Sequence, residues 1–303
     1  MSGFVNNYYY GKAGKADFTP ESLPDSRVRL FLEMLRIHFG GLCAVNLFYV
    51  VFCIPALLWT LFNLSALSAA ESSAMMLSGN LTIYLIGMVP CLTIAGIGAP
   101  GLMYVLRNWS RDQHSFLVSD FKDAVKGNWK QGILVGLING LSLLVSYVGI
   151  TYYGQMAQGS GMFWVIPEAL VIMMLALWWM INMLIYPMMV TYDMNLKTLI
   201  RNSALIAAAR LPWSILFLAC GLALPLIGFI LMFMVPYVYV IMVMVLLYVV
   251  VGFSLTGFVY ASYANSCFDR FLNPKIEGAQ VNMGLRDKSL DEDDEEEEED
   301  GKV

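Results

Sequence analysis

Few side chains inside the apolar stretches of this 303-residue chain could do chemistry, and Glu168 is the one carboxylate placed within such a stretch. An acid at membrane depth would serve as a proton relay, a cation contact or half of an ion pair. Pro167 precedes it and Trp164 marks an interface, so Glu168 also fits the first turn of a helix, where the dipole favours an acid. No Lys, Arg or His in the apolar stretches could pair with it, and the sequence favours this interfacial reading. A second candidate is backbone chemistry at Gly96, Gly98, Pro100 and Gly101. Such a cluster predicts a kinked or broken helix whose freed backbone groups could meet a solute. The competing reading, close helix packing on small residues, is the favoured one. With Glu168 these four residues form a candidate intramembrane polar site, to which Asn46, Asn139 and Asn182 could add.

A third candidate lies between apolar stretches. Phe121, Val125 and Trp129 recur every four residues, with Lys122, Lys126 and Lys130 as the neighbouring stripe. This spacing predicts a short amphipathic helix at the inner membrane surface, capped by Ser119 or Asp120. It would dock a cytoplasmic partner, or merely lie in the headgroup boundary, which is the plainer and favoured reading. Leu196 to Asn202 is a weaker copy of Phe121 to Asn128 and raises a parallel repeat, though coincidence is the better reading.

The elements that must position these residues follow from composition. Hydrophobic residues make up 58% of the chain and charged ones 14%, with a mean hydropathy of +0.65. A soluble domain carries about 25% charged residues, so a soluble enzyme is excluded. The expected fold is all-α: a polytopic membrane helix bundle of six transmembrane helices with both termini cytoplasmic. The spans are placed near 39–64, 82–106, 131–153, 162–190, 211–232 and 235–263. The last two divide one apolar run at Pro236, because the run is about twice a single span. Residues 1–38 form a polar N-terminal segment without the pattern of a signal peptide, and 264–303 a cytoplasmic tail.

Charge sets the topology. All 18 Lys and Arg fall in the N-terminal segment, the loops at 107–130 and 191–210, and the C-terminal segment. The other three loops hold none. The positive-inside rule therefore predicts N-in and C-in. The net charge of −5 hides this, because Asp291 to Asp300 is an unbroken run of ten carboxylates; without it the remainder stands at +5. That run is too charged to fold and predicts disorder. No basic patch is dense enough for nucleic acid, and the lipid bilayer is the expected surrounding. Cys43, Cys53, Cys91, Cys220 and Cys267 form no CxxC and read as small buried hydrophobes. The two histidines are too scattered for a metal site. With no GxSxG, HExxH or P-loop, no catalytic residue, cofactor or metal is expected, and the chain is read as no enzyme.

The segment from Leu92 through Thr93-Ile94-Ala95-Gly96-Ile97-Gly98-Ala99-Pro100-Gly101 to Arg107, continued by Asp120-Phe121-Lys122-Asp123-Ala124-Val125-Lys126-Gly127-Asn128-Trp129-Lys130-Gln131, resembles the YesL-like bacterial membrane proteins, domain of unknown function 624. Pro90 and Thr93-Ile94 fit that family's pattern, while the glycine is displaced and Pro100 is an extra proline. A looser echo runs from Tyr186-Pro187 to Asn195 through Ala204. The resemblance implies a bacterial plasma-membrane protein encoded beside carbohydrate-uptake transporters. The expectation is a non-enzymatic accessory or regulatory component of ABC-type carbohydrate uptake, touching permease or ATPase subunits through its inner loops. The alternative is an autonomous small-solute transporter or channel.

Overall fold

The computed structural model describes residues 23–69 and 74–286, with the backbone alone for residues 66–69 and 74–77. The acidic run, Tyr8-Tyr9-Tyr10 and Glu71 lie outside the described residues. Every regular element among the described residues is helical: α1 (Arg27–Ile37), α2 (Phe39–Ala69), α3 (Ala74–Trp109), α4 (Leu117–Ser160), α5 (Val165–Thr191), α6 (Leu196–Ala209), α7 (Leu211–Leu231), α8 (Tyr237–Leu247) and α9 (Phe253–Phe271). A π-turn, Tyr248–Gly252, joins α8 to α9 into one long rod. Six helical segments are long and apolar enough to cross a membrane. In each, the most apolar window is only 17 to 28% buried inside the protein, so most of its surface needs lipid as solvent.

Two boundaries differ from the sequence reading. Residues 119–130 do not form a separate surface helix. They are the first turns of α4, a single 44-residue helix that begins at Leu117 with Phe116 as N-cap. Asp120 reaches back instead of capping: its Oδ2 accepts from Phe116 N and from Ser115 Oγ, each at 2.8 Å. The helix of the last span also runs on past 263, because α9 continues to Phe271. The turn after Leu231 matches expectation, with Pro236 capping α8.

The described lysines and arginines gather at one end of the bundle, where the chain's two outer segments meet. Arg286 N donates to Pro24 O at 3.2 Å, and Arg27 pairs with Asp269 at 2.7 Å. The core thickens toward that end. One cluster joins Met180, Leu184 and Met188 of α5 to Leu199 of α6 and Phe268 of α9. The other joins Leu30 and Met34 of α1 to Leu42, Leu106, Trp109 and Phe258. Amphipathic α1 is held here by its inward residues, and its N-cap Ser26 accepts from Arg29 N.

The closest helix pair is α3 against α4. A Cβ added to Gly96 would collide with Gly132 O, one on Gly136 would sit 2.5 Å from Leu92 O, and one on Gly140 would sit 2.7 Å from Val89 Cα. Gly132, Gly136 and Gly140 recur every four residues, the spacing of one helix face. The glycine-rich part of α3 is therefore a packing face, and α3 continues through both Pro90 and Pro100. It does not break.

Candidate functional site

Asn46 of α2 is fully buried, yet sits in an apolar span. Its Nδ2 donates to Tyr248 O at 2.8 Å and Val249 O at 2.7 Å, and its Oδ1 accepts from Ser254 N at 2.8 Å. A π-turn widens the helix and leaves backbone groups without their usual partners four residues away. One carboxamide offers two donors and an acceptor, so Asn46 fills the gap. The turn in turn fixes Tyr248 and Phe253, which face a cavity.

That cavity, about 280 Å³, lies between the helices. Five of the six spans line it: Tyr49 from α2, Ala95, Gly96 and Ala99 from α3, Asn139 from α4, Trp179, Asn182 and Tyr186 from α5, and Tyr248, Thr256 and Tyr260 from the last rod. No charged side chain is among the lining residues. Asn139 Oδ1 accepts from Trp178 Nε1 at 2.9 Å, which spends one of its polar atoms. Asn182 Oδ1 is buried with no hydrogen-bond partner among the described residues. A buried carbonyl without a donor costs about 1–3 kcal/mol, which a ligand hydroxyl or a water would recover. Amides, phenols and indoles can hydrogen-bond and stack on an uncharged polar molecule. They offer no strong acid, base or nucleophile.

The candidate polar residues named from sequence are only partly brought together. Gly96 lines the cavity, while Gly98 packs under the Phe52 ring and Gly101 under Phe121 and Val125. Pro100 is buried on α3. Glu168 is elsewhere: it sits in the first turn of α5, half-buried, with Oε1 3.4 Å from where a Cβ on Gly154 would stand. Gly154 is eighteen residues along α4 from Gly136, which packs on Gly96, so roughly 27 Å separates Glu168 from that contact. Glu168 and the glycines do not form one site. Asn139 and Asn182, by contrast, do meet across the cavity, and Asn46 braces its wall.

The candidate docking stripe also divides. Phe121 is buried against the rings of Phe48 and Phe52, at 5.8 and 6.3 Å between centroids, and Val125 covers Gly101. Phe121 is thus an interior residue, and Val125 is half-buried in the α3–α4 packing. Lys122, Lys126, Trp129 and Lys130 remain exposed, with Lys130 Nζ 5.7 Å from the Trp129 ring. Of the cysteines, Cys53, Cys91 and Cys267 are buried and Cys43 is half-buried, but Cys220 is exposed on α7.

Sequence reading missed Asp269. Placed in the tail by the expected span boundary, it is buried at the basic end, where Oδ2 accepts from Arg27 Nη2 at 2.7 Å and Arg111 Nη2 lies 4.0 Å from Oδ1. Asn273 Nδ2 also donates to Oδ1, and Tyr192 donates from its hydroxyl to Asn273 Oδ1 at 2.6 Å. Burial pushes the Tyr192 phenol up to about 12, Arg107 and Arg111 pull it back, and Asp269 adds to the rise. The missed signal was that Ala264, Cys267 and Phe268 continue the inward face of α9 past residue 263.

Comparison with known proteins bears on the middle of the chain. No curated protein and no solved structure matches it. Residues 42–150, which hold α2, α3 and most of α4, match the model of a family described as "Protein of unknown function, DUF624". The match contains the Leu92–Gln131 segment and leaves the echo at Tyr186–Ala204 outside. Over those residues the chain is similar to that family, in keeping with the resemblance read from the sequence.

Proposed function

We propose that this protein is a non-enzymatic, multi-pass component of the bacterial plasma membrane that holds an uncharged polar small solute in the cavity between its helices. The cavity itself carries this reading: it is walled by residues of five spans, lined by amides and aromatic rings, free of charged side chains, and left with an unpaired Asn182 carbonyl. Such a lining favours a neutral, hydroxyl-bearing molecule over an ion, because it has no counter-charge to replace lost hydration. The carbohydrate-uptake setting implied by the resemblance supplies solutes of that kind. The basic end faces the cytoplasm, so both termini lie inside.

Purified protein in liposomes tests the proposal by uptake of labelled neutral sugars and polyols. Uptake, or saturable quenching of Trp179 fluorescence, is expected. Ala99→Phe, which fills the cavity, and Asn182→Leu should each lower it by tenfold or more. Absence of both uptake and quenching across the panel rejects the reading.

A second reading rests on a different observation. Lys122, Lys126, Trp129 and Lys130 stay exposed on the basic end of α4. They suit contact with a permease or ATPase subunit, which would make the protein an accessory of ABC-type carbohydrate uptake. A tagged pull-down from native membranes in mild detergent should then recover such a subunit, and the Lys126→Glu/Trp129→Ala double variant should lose it. Recovery of this chain alone rejects that reading and leaves the cavity's role to the liposomes.

A further inference from the structure

A second cavity, of about 330 Å³, opens at the basic end between Arg27, Arg210, Ser266, Asp269, Arg270 and Asn282. Three guanidinium groups and one carboxylate face it. The carboxylate is already engaged: Asp269, its side chain only 4% exposed, holds Arg27 at 2.7 Å and lies 4.0 Å from Arg111. Arg210 and Arg270 make no ion pair among the described residues. Arg210 is nevertheless held in place. Its Nη1 donates to Ser266 Oγ at 2.8 Å, and its guanidinium stacks near Trp213 and Tyr263 at 5.8 and 5.7 Å. Because Ser266 Oγ accepts from Arg210, its own hydroxyl proton is free to point into the cavity.

We propose that this cavity binds a phosphate group. A fixed guanidinium presents parallel N–H donors that match two oxygens of a tetrahedral oxyanion. Arg210 supplies that fork, Arg270 a second positive charge from the rim, and Ser266 a neutral donor between them. Arg27, bridging Asp269 and Asn282 Oδ1 at 2.7 Å each, closes the inner wall with its own charge balanced. A bare cation is disfavoured, because the one acidic group is already shared by two arginines. Phosphate could come free from the aqueous phase or as a lipid headgroup. Trp213, about half exposed beside Arg210 at the start of α7, is a residue type that settles at headgroup level.

The full-length protein in phosphatidylcholine nanodiscs is titrated with inorganic phosphate, with sodium chloride at matched ionic strength as control. A parallel set of discs contains phosphatidylglycerol. Thermal midpoint and Trp213 emission are read in both. Binding should raise the midpoint and saturate, and Arg210→Gln should weaken the apparent affinity about tenfold. Arg270→Gln is the second variant: its side chain is exposed and its removal leaves Asp269 and Ser266 paired, so it should fold while still weakening binding. Lys197→Gln, which removes an exposed charge elsewhere, should bind as the parent does. Saturation with inorganic phosphate assigns a soluble phosphate, whereas a shift confined to the phosphatidylglycerol discs assigns a lipid headgroup. A response equal to chloride's in plain discs with none in the others, or one untouched by both arginine variants, overturns the proposal.

Discussion

A carboxamide buried among apolar helices is stabilising only when its donors and acceptor are all used, and Asn46 uses them across some 200 residues of sequence. Asn46→Leu would strand Tyr248 O, Val249 O and Ser254 N together. At about 1 kcal/mol or more for each orphaned group, the loss should be roughly 3 kcal/mol, read as a lower thermal midpoint in detergent. Asn46→Asp keeps only the acceptor and should recover a minor part. The sequence marked Asn46, Asn139 and Asn182 as polar residues at depth, because polarity in an apolar run is visible locally. The partners of Asn46 and Asn139 were not legible, since each lies on another helix. His38 acts by a different route. It stacks on Trp109 at 4.8 Å between the ends of α1 and α2, and burial pulls its pKa below the ordinary 6.5, with His114 adding to the fall and Asp112 opposing it. The folded state thus binds this proton less readily than the unfolded chain. Its contribution is whole above pH 6.5 and is lost as the pH falls through the lowered value. The thermal midpoint should drop on acidification below 6.5, and His38→Phe should flatten that drop. An unchanged slope in the variant would show that other groups set it.

At the scale of elements, glycine spacing decides how closely helices approach. Gly96 meets Gly132 and Gly136 backbone to backbone, whereas Gly127, on the same α4, has open space where its Cβ would stand. Two substitutions therefore have opposite signs. Gly96→Leu must push α3 and α4 apart and should prevent recovery of a monodisperse protein, or lower its stability by about 2–4 kcal/mol. Gly127→Ala should raise stability by about 0.5–1 kcal/mol, because alanine loses less backbone entropy in a helix. Comparative thermal melts check both, and equal responses would contradict the packing described. The same contrast explains what was readable in α3. Glycine and proline in six positions are equally compatible with a broken helix and with a close crossing. Only the matching stripe at Gly132, Gly136 and Gly140 separates the two. Phe121 misled for a related reason. Its four-residue spacing with Val125 and Trp129 reads as one exposed face, yet the opening turns of α4 lie over Gly101, which draws Phe121 and Val125 inward and leaves Trp129 outside.

For the whole molecule, span number and approximate position were legible because apolar length is a property of contiguous sequence. The cavity and the Asp269 cluster were not, because they arise where five helices or two distant segments converge. Between these lies orientation, which charge predicts and which can be checked directly. The arginines and lysines of the described chain sit at the end shared by α1, the α3–α4 connection, α6 and the end of α9. The opposite end carries Met162 and Phe163, with Met162 84% exposed. If the basic end is retained in the cytoplasm, Met162 faces outward and Gly127 inward. In a Cys220→Ser background, to silence the exposed native thiol, Met162→Cys should react with a membrane-impermeant maleimide on intact cells. Gly127→Cys, in equally open surroundings, should react only after the membrane is permeabilised. The reversed pattern would invert the molecule and put the arginine cavity outside, where a headgroup or phosphate would have to come from the outer face. Labelling of both sites on intact cells would mean that the two ends are not separated by a membrane, and the six-span arrangement would fall with it.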